Sequence, residues 1–191
     1  MLNSAYGKNP RDVAAVFGLA RKWGDRYDTA KAQDKYKEVI ALDPEGKAGN
    51  FTDAEDTKIT APYLDFARFE LASASFDTRR PDPAPLKAFI AAYPASPLVR
   101  QAYRVLSSYY GGPAPNEEAG KFFAEFAGRY PGDPVPLLAW LRRIVRDKGP
   151  VDKGLELAAQ LRDATQMTPN PAVNQTIARL YDIAEIGRAH V

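Results

Sequence analysis

The sequence predicts an all-α protein built from antiparallel pairs of helices. Large apolar residues recur three and four positions apart, the spacing that places side chains on one face of a helix. Short turns rich in glycine or proline separate these segments. Two of the segments close with the motifs Ala92-Tyr93-Pro94 and Arg129-Tyr130-Pro131, which lie 37 residues apart. This recurrence indicates an internal repeat.

Composition limits the classes of function. The chain has 191 residues, a net charge of +2, 45% hydrophobic residues and 26% charged residues, as a folded protein does. It has no cysteine, which excludes disulfides, thiol catalysis and thiolate metal sites. No apolar run approaches the roughly 18 residues of a membrane span, and the small net charge does not indicate nucleic-acid binding. We expect a soluble bacterial protein, either cytoplasmic or extracytoplasmic.

The helical segments divide into four units and a terminal helix. Each unit is predicted to form a hairpin, because neither of its helices can bury an apolar face alone. The units span residues 10–46, 61–96, 97–133 and 134–169, and the terminal helix spans 171–184. Residues 45–60 connect the first two units and are polar, so they are either a functional loop or a solvated insertion.

Particular residues are expected to cap the helices and to form their apolar faces. Asn9-Pro10 is predicted to begin the first helix, as a cap followed by a first-turn proline. The fourth unit is expected to bury Leu138, Leu141 and Val145. The terminal helix is expected to bury Ile177, Ala178 and Tyr181.

The first and third units resemble the tetratricopeptide repeat over its whole length. The matching residues are Val16, Leu19-Ala20, Trp23, Ala32, Tyr36, Val39 and Pro44 in the first unit, and Tyr103, Leu106-Ser107, Tyr110, Ala119, Phe123, Phe126 and Pro131 in the third. The second unit has a longer, proline-rich turn, and the fourth has Arg142 where the family has a small residue. The resemblance implies a right-handed α-solenoid of about nine helices, which binds a protein or peptide in a concave groove.

Aromatic residues on the repeat stripes are predicted to form the core. They are Trp23, Tyr36, Phe66, Tyr103, Tyr110 and Phe123. Trp140 lies beside the stripe of its helix, so we expect it to be partly exposed.

Arginine recurs at one position of the repeat. The residue after the small position of each first helix is Arg21, Arg68, Ser108, Arg143 and Arg179 in turn. The resemblance implies that this position faces the groove, where Arg104 and Arg146 would join it from one helical turn away. A row of arginines there would bind an acidic or C-terminal peptide through its carboxylates. Alternatively, these arginines solvate the helix surfaces or pair with nearby Asp and Glu.

The sequence contains few of the residue types on which catalytic sites usually depend. The single histidine is His190, so a Ser-His-Asp triad or a histidine metal site has no support. The carboxylates are scattered, and no pair stands out as a general acid and base. We expect no enzymatic activity and no cofactor or metal.

Two alternatives to a peptide-binding scaffold follow from the sequence. The runs Asp12–Ala20, Leu42–Lys47 and Pro62–Leu71 are similar to repeat tails that follow thioredoxin-like domains in bacterial proteins. This likeness implies the regulatory or substrate-presenting C-terminal tail of an extracytoplasmic redox enzyme, with an upstream domain in the full-length chain. The other alternative is a structural spacer, whose groove the chain fills itself. We interpret residues 185–191 as a non-native scar, because they resemble a translated sequencing adapter.

Overall fold

The computed structural model describes residue 9 and the ranges 11–54, 58–77, 80–165 and 171–189. Nine helices and two short β-hairpins form within these residues. The helices are α1 (Val13–Asp25), α2 (Thr29–Leu42), α3 (Tyr63–Ala74), α4 (Ala84–Ala92), α5 (Val99–Gly111), α6 (Asn116–Arg129), α7 (Pro134–Asp147), α8 (Val151–Thr165) and α9 (Pro171–Ala189). The prediction of a mostly helical, all-α chain is confirmed.

The chain forms two compact units, unit 1 over Met1–Ala102 and unit 2 over Tyr103–Val191. Unit 1 contains α1 to α4, and unit 2 contains α6 to α9. Helix α5 begins in unit 1 and ends in unit 2. None of the helices in the described ranges is both long enough and apolar enough to cross a bilayer.

Aspartate side chains cap the N-termini of several helices. The Asp12 carboxylate accepts hydrogen bonds from the backbone N–H groups of Ala14 and Ala15, at 3.0 and 3.2 Å. It therefore satisfies two of the donors that a helix start leaves without partners. The predicted cap at Asn9-Pro10 is wrong, because α1 begins at Val13. Asp28 and Asp133 cap α2 and α7 in the same way.

Unit 1 is organised around the ring of Phe17. Its centroid lies 5.9 Å from that of Tyr36 on α2 and 6.0 Å from that of Phe66 on α3. Helix α1 packs against α2, α2 packs against α3, and α1 also touches α3. The small residues Ala20 and Ala67 are fully buried, which lets the helices approach closely.

The segment predicted as a polar connection contains a β-hairpin. Strands β1 (Asn50–Thr52) and β2 (Thr60–Pro62) pair antiparallel, with Phe51 opposite Ala61. The Phe51 ring lies 5.0 Å from that of Phe17, so the hairpin joins the aromatic core of unit 1. A second hairpin, β3 (Phe76–Asp77) with β4 (Arg80–Pro81), replaces the predicted proline-rich turn. Residues 55–57 and 78–79 lie outside the described residues.

Unit 2 begins with an antiparallel pair, α5 and α6. Tyr103 is the first residue of α5 that belongs to unit 2. Its ring centroid lies 5.1 Å from that of Phe126, near the end of α6. Tyr110 at the end of α5 stacks on Phe122 at 4.0 Å. The predicted core residues Tyr103, Tyr110 and Phe123 are buried. Helix α7 follows, packs against α6 and α8, and also contacts α9.

The prediction is correct for Leu141 of α7, and elsewhere the apolar faces of α7 and α9 are displaced by one residue. Leu137, Leu141 and Ile144 are buried in α7, where Leu138 and Val145 are only half-buried. In α9, Leu180 is fully buried and Tyr181 is 43% exposed. Adjacent helix residues differ in direction by about 100°. An error of one residue in the buried face therefore also changes which polar residues are exposed.

The two tryptophans are both half-buried. This was expected for Trp140, whose ring stacks on Phe123 at 6.0 Å. Trp23 was predicted as a core residue, but its ring has Lys31 at 4.6 Å and Arg26 at 5.9 Å. Helix α9 extends to Ala189, five residues beyond the predicted end. Residues 190 and 191, with the single histidine, lie outside the described residues.

Candidate functional site

The two predicted arginines of unit 1 both lie over aromatic rings. The Arg21 guanidinium on α1 is 4.7 Å from the centroid of Phe51, and its Nη1 is 3.4 Å from Oδ1 of Asp53. The Asp53 side chain is only 8% exposed. Arg21 therefore holds the β1–β2 hairpin against α1. Arg68 on α3 lies 4.3 Å from the ring of Tyr93, the residue that follows α4.

Arg143 on α7 is buried and has its partners inside unit 2. Its guanidinium donates to the backbone carbonyls of Tyr110, Gly112 and Ala114, at 2.7, 3.1 and 2.6 Å. Two further bonds reach Oδ1 of Asn116, at 2.9 and 2.5 Å. Five hydrogen bonds match the five N–H donors that an arginine has. The expectation that Arg143 offers its guanidinium to a peptide is therefore inconsistent with its position.

The acceptors of Arg143 explain why the fold buries it. Tyr110 and Gly111 are the last residues of α5. The last four carbonyls of a helix accept no hydrogen bond from within the helix. The negative end of the helix dipole lies at the same place. Arg143 and Arg146 together supply positive N–H donors to this end of α5. The chemistry predicted for these arginines, forked donation to oxygen acceptors, is used here within the chain.

Arg146 and Arg104 remain exposed while they bind neighbouring groups. Arg146 donates to the carbonyl of Gly111 at 2.8 Å and to Asp147 at 2.6 Å, with half of its side chain exposed. Its hydrogen bond holds the pKa of Asp147 below the ordinary value. Arg104 on α5 donates to Oδ2 of Asp133 at 3.2 Å, and 40% of its side chain is exposed.

Arg179 is exposed on α9, and Arg142 is an exposed cation that the sequence did not select. Arg142 is exposed on α7, and residues four apart share a helix face, so it lies on the same face as Arg146. The one-residue shift of α7 explains this difference, because it buries Arg143 and exposes Arg142. The amphipathic pattern of α7 contains this signal, since Leu137, Leu141 and Ile144 fix its buried face.

A small pocket lies beside Arg143, between α6, α7 and α8. Its volume is about 240 Å³, and Gly120, Trp140, Ile144 and Pro150 are among the residues that line it. Lys153 lies 5.0 Å from the ring of Trp140 at the edge. Small-molecule sites usually measure about 300–1,000 Å³. The pocket therefore suits one side chain of a partner better than a free ligand.

Two buried tyrosines have shifted titration. Burial raises the pKa of Tyr103 to about 12, and the hydrogen bond that it donates to Glu125 acts in the same direction. Burial also raises the pKa of Tyr36, with a further contribution from Glu70. Both shifts move the phenols away from neutral pH, so neither group acts as an acid or base near pH 7.

Comparison of the chain with known protein families, curated proteins and solved structures returned no match. The likeness to the tetratricopeptide repeat therefore depends on the sequence pattern described above. Within the described ranges, no three His, Cys, Asp or Glu side chains are grouped closely enough to hold a metal ion.

Proposed function

We propose that this chain is a protein-interaction module, a right-handed solenoid of helix hairpins that holds a peptide or neighbouring domain and performs no chemistry. We further propose that exposed arginines of unit 2 form the binding surface. It combines three of the predicted residues, Arg104, Arg146 and Arg179, with Arg142. We call these four residues the cationic surface.

The packing of alternate helices is the observation that carries this proposal. Arg104 in the first half of α5 reaches Asp133, at the start of α7. Arg146 near the end of α7 reaches Gly111, at the end of α5. The two helices therefore run parallel, with α6 antiparallel between them in sequence. Parallel alternate helices are compatible with stacked hairpins, and in unit 1 the Phe17–Phe66 contact likewise joins the alternate helices α1 and α3.

The chemistry of the cationic surface favours an acidic partner. Arginine forks bind carboxylates through two parallel hydrogen bonds. Asp147 already occupies part of Arg146, and Asp133 occupies part of Arg104. An incoming acidic segment would add to these contacts at the exposed parts of both side chains. Such binding weakens as salt is added, because exposed charges are screened.

Peptide binding tests the proposal. Acidic peptides are titrated against the intact chain, and basic peptides of the same length serve as the comparison. A variant with Arg104, Arg142, Arg146 and Arg179 changed to Ala should lose at least about tenfold in affinity for the acidic set, the loss of one good charged contact.

The control removes the same charge elsewhere. Lys37, Lys47 and Lys121 have side chains 65–80% exposed, and Lys87 on α4 is exposed as well, so replacement of these four by Ala should change the affinity little. Equal loss in both variants would show a general charge effect and contradict a defined surface. Unchanged binding in the arginine variant would contradict it too.

The structural-spacer alternative has support in unit 1. One of the two residues predicted to face a ligand there, Arg21, lies over Phe51 and is paired with Asp53 of the β1–β2 segment. The chain thus fills this position itself. A spacer role for unit 1 predicts that Arg21→Ala leaves peptide affinity unchanged while it lowers thermal stability.

A further inference from the structure

The turn between α1 and α2 has features that folding does not explain. We propose that Trp23, Arg26, Tyr27 and Lys31, here called the turn surface, dock an acidic amphipathic segment of a partner protein. Apolar side chains of that segment pack on Tyr27 and Trp23, and its carboxylates pair with Arg26. This surface belongs to unit 1 and is separate from the cationic surface of unit 2.

The backbone at Tyr27 adopts a conformation that favours glycine. Tyr27 has φ +60° and donates its N–H to the carbonyl of Gly24 at 2.9 Å. The N–H of Asp28 bonds the carbonyl of Trp23 at 2.9 Å. These two bonds define the turn that commonly ends helices, with its left-handed position usually occupied by glycine. A tyrosine there is strained, since its Cβ crowds the backbone.

Packing does not compensate for this strain. The Tyr27 side chain is 94% exposed, the highest value for a large apolar residue in the described part of the chain. An exposed ring contributes little burial to folding. The tyrosine therefore costs stability through its backbone and returns little through its side chain. Strained backbone positions cluster at functional sites, so the outlier at Tyr27 motivates a functional hypothesis.

The surroundings of Tyr27 have the composition of a binding hot spot. Trp23 is half-buried, and its ring has Arg26 at 5.9 Å and Lys31 at 4.6 Å. Tryptophan, tyrosine and arginine are the residues that most often dominate the binding energy of protein interfaces. Their arrangement on a tight turn also holds them at a low entropic cost.

The charges of the turn favour carboxylates over phosphates. Lys31 is paired with Asp28 at 2.7 Å. The remaining charges near the turn in the sequence are two cations, Lys22 and Arg26, and one anion, Asp25. A short acidic segment can place one or two carboxylates on these cations. A nucleic-acid strand would bring a run of phosphates past Asp25 and Asp28, which would repel it.

Trp23 supplies the signal for a test. In the intact chain with Trp140→Phe, Trp23 is the single tryptophan. The probes are tryptophan-free peptides of about 12 residues that alternate Leu with Glu, Lys or Ser, and an oligothymidylate of the same length. The Leu–Glu peptide should shift the Trp23 emission saturably, and the other probes should not.

Tyr27→Gly separates binding from stability. It should weaken the Leu–Glu peptide at least about tenfold and raise the thermal midpoint by about 2–4 °C. Lys148→Gly is the matched control, because Lys148 directly follows α7 with φ +49° and carries no aromatic ring. It should raise the thermal midpoint and leave the peptide affinity unchanged. A variant of the cationic surface should also leave the Trp23 signal unchanged.

Several results would overturn the proposal. These are equal peptide affinity of Tyr27→Gly and the parent chain, a lower thermal midpoint of Tyr27→Gly, or no saturable shift up to about 1 mM peptide. An equal response to the oligothymidylate would assign the surface to nucleic acid. A concentration-dependent shift without any probe, lost in Tyr27→Gly, would assign it to a second copy of the chain.

Discussion

Arg143 and Arg142 are neighbours in sequence with opposite roles. Arg143 is buried and makes five hydrogen bonds, to the end of α5, to the turn that follows it and to Asn116 at the start of α6. Arg142 is exposed on the other side of α7. The difference follows from helix geometry, because adjacent residues differ in direction by about 100°. A buried arginine persists only where its donors are satisfied, and the carbonyls at the end of α5 supply that condition.

Removal of the Arg143 guanidinium should destabilise unit 2. Arg143→Met keeps the apolar stem but leaves the carbonyls of Tyr110 and Ala114 buried without these donors. An unsatisfied buried acceptor costs about 1–3 kcal/mol, so the free energy of unfolding should fall by about 3–5 kcal/mol. Arg142→Met is the control and should change it by less than about 0.5 kcal/mol. Denaturant titration measures both, and equal effects would contradict the capping role.

Tyr103 should make the fold sensitive to alkaline pH. Its pKa is raised to about 12 in the folded chain, against an ordinary value of about 10 in the unfolded chain. The neutral phenol is therefore favoured by folding. This contribution is complete below pH 10 and is lost as the pH rises from 10 to 12, by up to about 2 kcal/mol.

Tyr103→Phe isolates this effect. The free energy of unfolding of the parent chain should fall more steeply than that of the variant between about pH 10 and pH 12. Tyr36, whose pKa is also raised, titrates in both chains and cancels in the difference. Parallel pH profiles for the two chains would show that Tyr103 keeps an ordinary pKa in the fold.

Among the elements, α8 shows how a single glycine sets the approach of two helices. A Cβ built on Gly154 would lie 2.6 Å from Cδ1 of Leu180 on α9 and 3.4 Å from Cγ2 of Ile144 on α7. Leu180 is fully buried, so it has little room to move. The absence of a side chain at Gly154 therefore allows α9 to pack on the α7–α8 pair.

Two opposing effects decide the outcome of Gly154→Ala. Alanine gains about 1 kcal/mol of helix propensity, but overpacking a filled core costs about 1–3 kcal/mol. We expect a net loss of about 1 kcal/mol in the free energy of unfolding. In a chain that already carries Leu180→Ala, the added methyl group has room, so Gly154→Ala should instead stabilise.

Gly128 in α6 provides the matched control for this cycle. A Cβ at Gly128 would meet no atom within 4 Å, so Gly128→Ala should raise the free energy of unfolding by about 0.5 kcal/mol in both backgrounds. A Gly154→Ala effect that is the same with and without Leu180 would rule out the contact between α8 and α9 as its cause.

For the molecule as a whole, the sequence predicts those helices whose positions follow from the local spacing of apolar residues. The helices of the first and third hairpins follow from apolar spacing and from their turns. The β1–β2 hairpin was missed because its polar residues conceal the single inward ring of Phe51. The faces of α7 and α9 were misplaced by one residue, since neighbouring leucines such as Leu137 and Leu138 permit either register. The roles of Arg143 and Tyr27 depend on tertiary contacts and on a backbone angle, which a linear pattern does not encode.

The proposed repeat architecture makes a prediction about how damage spreads. In stacked hairpins each repeat contacts only its neighbours, so a core defect weakens its own region most. Unit 1 contains Trp23 and unit 2 contains Trp140. Chains with Trp140→Phe or Trp23→Phe therefore report the unfolding of one unit each.

Phe126→Ala and Phe17→Ala place matched defects in the two units. Both rings are buried within aromatic clusters, and their removal costs about 3–5 kcal/mol. Phe126→Ala should lower the denaturant midpoint of the Trp140 signal more than that of the Trp23 signal, and Phe17→Ala should do the reverse. A single closed core would instead lower both midpoints equally for either variant, because it unfolds in one cooperative step. Equal shifts would therefore contradict the solenoid, whereas opposite rankings in the two variants would support it.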